Sequence, residues 1–179
     1  MKEDVKNKLF KWNCALSVLI ILLVSAGQHF LYDLVPNVFV GIFAPRNESL
    51  AEHVKIVFYP VLLWWGISYV IFERNQKLNL VKWFSGGCVA VIVSITFVTL
   101  LFCTLFFGLW FPIDSFPTHI SIEIVSILIA QLVGFHVYKR GKENRVGLIV
   151  LCAIVVAFAV LMAVFSYYPP KVPVFMSPQ

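Results

Sequence analysis

Charge is scarce in this sequence. Asp, Glu, Lys and Arg make up 13% of the 179 residues, and only nine of them are acidic. Whole stretches, Trp12 to Tyr32 and Trp83 to Ile113, carry no charged residue at all. A chain that is 60% hydrophobic has more apolar surface than one soluble core can bury, which excludes a water-soluble enzyme domain. The short signatures of common chemistry are missing too. There is no nucleophile elbow, no phosphate loop and no His-Glu-x-x-His, so nothing local marks a serine hydrolase, a nucleotide-binding protein or a zinc protease. The four cysteines, Cys14, Cys88, Cys103 and Cys152, lack Cys-x-x-Cys spacing and lie in apolar runs. They read as small packing residues, not as disulfides or metal ligands.

What is present is a set of long apolar runs, with a mean hydropathy of +0.90. A helix rising ~1.5 Å per residue needs roughly 20 apolar residues to cross a bilayer core. The runs predict one all-α domain, a polytopic transmembrane helical bundle with five spans at about 12–32, 50–72, 83–108, 118–138 and 146–168. A proline-stiffened tail, 169–179, follows the last span. The small residues Ser25-Ala26-Gly27 would also suit signal-peptide cleavage. The following Gln28-His29-Phe30-Leu31-Tyr32-Asp33 reads instead as the polar end of a helix.

The net charge of +5 would suit nucleic acid, but the basic residues sit in short clusters between spans, where they set topology. Lys2, Lys6, Lys8 and Lys11 precede the first span, Arg74, Lys77 and Lys82 join the second to the third, and Lys139, Arg140, Lys142 and Arg145 join the fourth to the fifth. Only Arg46, Lys55 and Lys171 fall on the other side. The bias predicts a cytoplasmic N-terminus, an outer C-terminus and a multi-pass protein of the cell membrane, expected to be a bacterial plasma membrane, with lipids and not nucleic acid as its surroundings.

Against this background the stretch from Arg46 to Pro60 is unusually polar. If it is helical from Ser49 onward, Glu48 and Glu52 stack on one side, as do Ser49 and His53. A cap at Asn47 or Ser49, with both carboxylates near the helix N-terminus, explains these residues without any substrate. Five spans also bring His29 with Asp33, and His119 with Glu123, to the same outer face. Histidines and carboxylates from several helices are what a bundle uses to hold zinc or another divalent metal, which can activate water. His29, His53, His119 and Glu123 are the expected metal ligands, and Glu52, His53 and Glu48 the catalytic groups. Arg46, Asn47, Ser49, Lys55 and Asp33 are the expected binding residues for a small-molecule or lipid-linked ligand, the two cations being suited to phosphate or carboxylate. Glu52 and His53 are further expected within a few ångströms of His29 or Glu123, because charges near lipid seek partners. Two functions fit: a metal-dependent intramembrane hydrolase acting on a lipid or lipid-linked substrate, or a non-catalytic binding or transport protein using the same pocket. Leu34 to Asn47, with its short apolar middle, is too short to span and reads as a re-entrant or interfacial piece over the site.

The residues His29-Phe-Leu-Tyr-Asp33, Pro45-x-Asn47-Glu48-Ser49-x-x-Glu52-His53-x-Lys55, Phe58-x-Pro60 and Pro169-Pro170-x-Val-Pro173-Val-Phe175 form a pattern. It resembles a family of small integral membrane proteins of unknown function, common in Gram-positive bacteria. The resemblance covers most of the chain and implies that His29, Glu48, Glu52 and His53 belong to a recurring pattern. Ser177 stands where that family tends to place an acidic residue, so no acidic role is carried over to the tail. A looser likeness to hydrolases of the ceramidase and adiponectin-receptor type, which hold zinc between helices, is analogy alone, since those have seven spans and other histidine spacings.

Overall fold

Within lipid a chain must satisfy its own N–H and C=O groups, and a helix does so within one segment. The computed structural model describes residues 2–76, 78–109 and 116–175, and no strand occurs among them. The tail beyond Phe175 lies outside the described residues. Helix α1 covers Lys2–Leu34, α2 Val38–Phe43, α3 Leu50–His53 and α4 Lys55–Gln76. Helix α5, Leu80–Phe102, runs on into a π-helical stretch, Cys103–Gly108. Helices α6, Phe116–Arg140, and α7, Arg145–Tyr167, complete the bundle, and a 3-10 turn at Pro173–Phe175 follows. Among the described residues, five stretches are long and apolar enough to cross a membrane: Leu16–Leu34, Leu50–Phe72, Leu80–Gly108, Pro117–Arg140 and Arg145–Tyr167. The fold is thus the all-α, five-span bundle that the hydropathy predicts.

Short polar side chains start the helices. The side-chain oxygens of Asn37, Ser49, Asn79 and Asn144 accept the N–H groups of Val40, Glu52, Lys82 and Gly147, each three residues on. Each cap satisfies a donor that its helix cannot.

Helices α5 and α6 approach most closely at Gly86 and Gly134. A Cβ on Gly134 would lie 2.8 Å from the Gly86 carbonyl oxygen, from Ala90 Cβ and from Trp65 Cζ2. Small residues of this kind let membrane helices pack by backbone contact, which substitutes for the missing hydrophobic drive. Trp65 fills the adjoining space, its ring 4.9 Å from those of both Trp83 and Phe135, while Trp83 Nε1 donates to the Trp65 carbonyl at 2.9 Å.

Pro60 lies inside α4. It has no N–H, so the carbonyl four residues earlier, Ile56, loses its helical donor. Ser25 on α1 repairs the gap, its Oγ donating to Ile56 O at 2.5 Å. One turn on, Gln28 Nε2 donates to Lys55 O at 3.1 Å. Two side chains of α1 thereby fasten it to α4 beside the polar stretch.

Candidate metal centre

The polar stretch folds as a single turn, α3, which stops at His53 and restarts as α4 at Lys55. Ser49 is the cap, accepting from Glu52 N, and Asn47 Oδ1 in turn accepts from Ser49 N at 2.9 Å. Glu48 therefore precedes the helix instead of stacking over Glu52. The two carboxylates go separate ways, which corrects the expected alignment.

Glu52 turns into the protein. Its Oε2 accepts from Lys55 Nζ at 2.8 Å and from Arg46 N at 2.8 Å, and its Oε1 accepts from Ser166 Oγ at 2.7 Å. Lys55, wholly buried, also donates to the carbonyls of Gly41 at 2.7 Å and Ala44 at 3.3 Å. The Arg46 guanidinium donates to the Ser166 carbonyl and lies 4.3 Å from the centre of the Tyr167 ring. A hydrogen bond to the Tyr32 hydroxyl raises its pKa above the ordinary arginine value. Glu52, Lys55 and Arg46 are thus consumed in clamping the α2 segment onto α4 and α7. None of them lines the cavity described next, so the expected catalytic place of Glu52 and the expected ligand-gripping places of Arg46 and Lys55 do not match their surroundings.

His53 faces the other way, toward α1 and α6. Its Nδ1 lies 3.1 Å from the Ser49 carbonyl oxygen, which can only accept, so Nδ1 carries the proton. Nε2 is left facing Glu48 Oε2 at 3.2 Å. His29 of α1 presents its own Nε2 to Glu48 Oε1 at 3.9 Å. One ligand atom from each of His29, Glu48 and His53 can be chosen so that all lie within 4.8 Å of one another. Tetrahedral zinc with bonds of about 2.0–2.1 Å would hold its ligand atoms about 3.3 Å apart, so the trio would have to draw together to hold the ion. Glu48, 66% exposed, has room to move toward the two rings.

The trio borders a cavity of about 370 Å³, whose other polar walls include His119 and Glu123 from α6. The His119 ring lies 5.8 Å from that of His53, set against Phe102 at 5.6 Å and Phe106 at 5.3 Å. The π-helical end of α5 delivers Phe106 to this position, an instance of a π-bulge beside a candidate site. Glu123, one turn beyond His119, has Ser25 within hydrogen-bonding reach, yet its Oε1 is buried with no partner among the described residues. Leu50, Val57, Val98 and Phe102 make the cavity otherwise apolar.

Of the residues singled out from the sequence, His29, Glu48, His53, His119 and Glu123 converge on this cavity. Asn47 and Ser49 serve the turn, and Glu52, Arg46 and Lys55 serve the clamp. Asp33 is exposed, with no ion pair to His29. Sequence reasoning missed Ser25 and Ser166, whose roles come from α4 and from Glu52, remote partners that no local pattern announces.

No curated protein and no solved structure matches the chain. A family model does match, over residues 1–178, and the chain belongs to that family, a family of unknown function (DUF6512).

Proposed function

We propose that this protein is a divalent-metal-dependent intramembrane hydrolase, with its site at the outer face of a bacterial plasma membrane and a lipid or lipid-linked substrate. One observation carries the reading. His53 Nδ1 must hold a proton for the Ser49 carbonyl, while Nε2 sits 3.2 Å from the acceptor-only Glu48 carboxylate and His29 approaches the same carboxylate. Such a junction calls for a positive charge, either a second proton or a metal ion. Two histidines and one carboxylate are a catalytic zinc set that leaves a coordination position open, and a carbonyl accepting from the other ring nitrogen of a ligand histidine, as Ser49 does for His53, is the usual companion of such a set.

When bound, the ion would supply Lewis-acid polarisation of a carbonyl or phosphoryl oxygen and acidify a water. The chain's own residues do the rest. The Ser49 carbonyl fixes the His53 tautomer and ring orientation, and Glu123, in the cavity but outside the ligand trio, would be the group to accept a proton there and give it to a leaving group. A carrier using the same cavity would need it to continue inward, but Ile21 and Ile127, both fully buried, lie one turn below Ser25 and Glu123.

The test is stoichiometric zinc in the detergent-purified protein, retained by Glu52→Gln if that variant folds, and lost in His53→Ala and His29→Ala. Loss of a ligand should weaken binding by at least about 10-fold. A parent protein that neither contains zinc nor is stabilised by adding it would overturn the metal reading. Impermeant thiol labelling of cysteines placed after Gln179 and at Lys142 tests the orientation, which predicts that only the first is reached from outside.

A further inference from the structure

We infer that the cavity takes a single-chain amphiphile with an uncharged polar head, admitted sideways from the lipid between α1 and α6. The inference rests on the reading of the polar trio as the site of chemistry, and adds which substrate class that site selects. Three observations support it.

The first is where the cavity opens. Ala26 and Phe30 of α1 and Ile120 of α6 line the cavity and are also exposed on the outside of the bundle, Phe30 by 56% and Ile120 by 36%. At this level of two spanning helices, outside means lipid. The facing wall, Leu50, Val57, Val98 and Phe102, is buried. A chain lying in the bilayer therefore reaches the cavity by moving sideways, without passing through water.

The second is charge. Among the described residues, the ionisable lining consists of three histidines and two carboxylates, with no lysine and no arginine. The cations nearest in sequence are spent, Lys55 on Glu52 and two carbonyls and Arg46 on Ser166 and two tyrosines. Phosphate recognition calls for such cations or for free N–H groups at a helix start. Ser49 already occupies the start of α3. With a divalent ion bound, its two positive charges would be offset by Glu48 and Glu123, leaving no net countercharge for an anionic head.

The third is Glu123, whose buried Oε1 has no partner. A buried acceptor left alone is costly, and a hydroxyl or amide N–H on the ligand head would satisfy it. The volume of about 370 Å³ is at the lower end of ligand pockets, about 300–1,000 Å³. It holds a small head and the first carbons of one chain, leaving the remainder among the lipids.

The experiment uses the full chain in phosphatidylcholine nanodiscs with a monoacylglycerol carrying a photoreactive group next to its head. Crosslinks should map to Ala26–Phe30 and to the first two turns of α6, and unlabelled monoacylglycerol should compete at least about 10-fold better than lysophosphatidate of the same chain length. Ala26→Trp and Ile120→Trp, which fill the mouth from opposite sides without touching the core, should each remove the crosslinks. Glu123→Leu should weaken competition by about 5-fold or more while Glu123→Gln, which keeps an acceptor, retains it. Equal competition by the two lipids, or crosslinks spread evenly over the lipid-facing helices, would overturn the inference. Zinc bound without site-specific crosslinking sinks this inference alone, whereas crosslinking that survives in a protein unable to bind zinc sinks the metal reading alone.

Discussion

Lys55 and Glu52 form an ion pair inside the membrane domain, Nζ to Oε2 2.8 Å, with the lysine side chain 0% and the glutamate 7% exposed. The pair is completed by two backbone carbonyls on the lysine and by Ser166 and a backbone N–H on the glutamate. Removing one member strands the other in a poorly solvated place. Lys55→Met should therefore cost about 3–5 kcal/mol of stability, and Glu52→Leu a similar amount. The double variant should recover much of the loss, since two apolar residues leave no charge behind. Melts of the three detergent-purified proteins give the answer, and a single variant as stable as the parent would mean that the clamp does not depend on this pair.

Ser25 and Pro60 make a separable pair. Ser25→Ala should cost about 1–3 kcal/mol by orphaning the Ile56 carbonyl. In a Pro60→Ala background α4 recovers its own N–H donor to Ile56, and the same serine change should be nearly neutral. A double-mutant cycle measures the coupling. Additive effects would show that the hydroxyl is not repairing the helix.

Two glycines predict opposite results. Gly134→Ala places a methyl 2.8 Å from the Gly86 oxygen and the Trp65 ring, and should destabilise by about 1–3 kcal/mol as α5 and α6 are forced apart. Gly66→Ala meets nothing within 4 Å and should be neutral or stabilising by up to about 1 kcal/mol, from helix propensity. Matching melting temperatures for the two variants would refute the close-packing account.

Much of the fold was legible because lipid imposes a length rule: five long apolar runs became five spans. The convergence of His29, His53, His119 and Glu123 followed from counting those spans, since odd and even helices present alternate ends to one face. The division of labour between Glu48 and Glu52 was not legible. It depends on Ser49 ending the coil and Val54 ending α3, two adjustments within six residues, and on Ser166, over a hundred residues away, receiving Glu52. A sequence spacing of four predicts a shared face only when the helix runs unbroken through both residues. Arg46 and Lys55 looked free to grip an anion because their partners are mostly backbone carbonyls and tyrosines, which carry no charge signal in a sequence.

Ser166 lies on the last spanning helix, and it supplies both a hydroxyl to Glu52 and a carbonyl to Arg46. Membrane insertion proceeds from the N-terminus, so α4 enters with its buried lysine before these final partners have been synthesised. The clamp closes only when α7 docks, and until then the turn bearing Glu48 and His53 lacks its anchor to the far side of the bundle. Closure of the clamp thus depends on a helix remote in sequence from the turn it steadies. A chain without α7 would carry every histidine of the cavity yet leave Glu52 without its Ser166 hydroxyl and Arg46 without its Ser166 carbonyl.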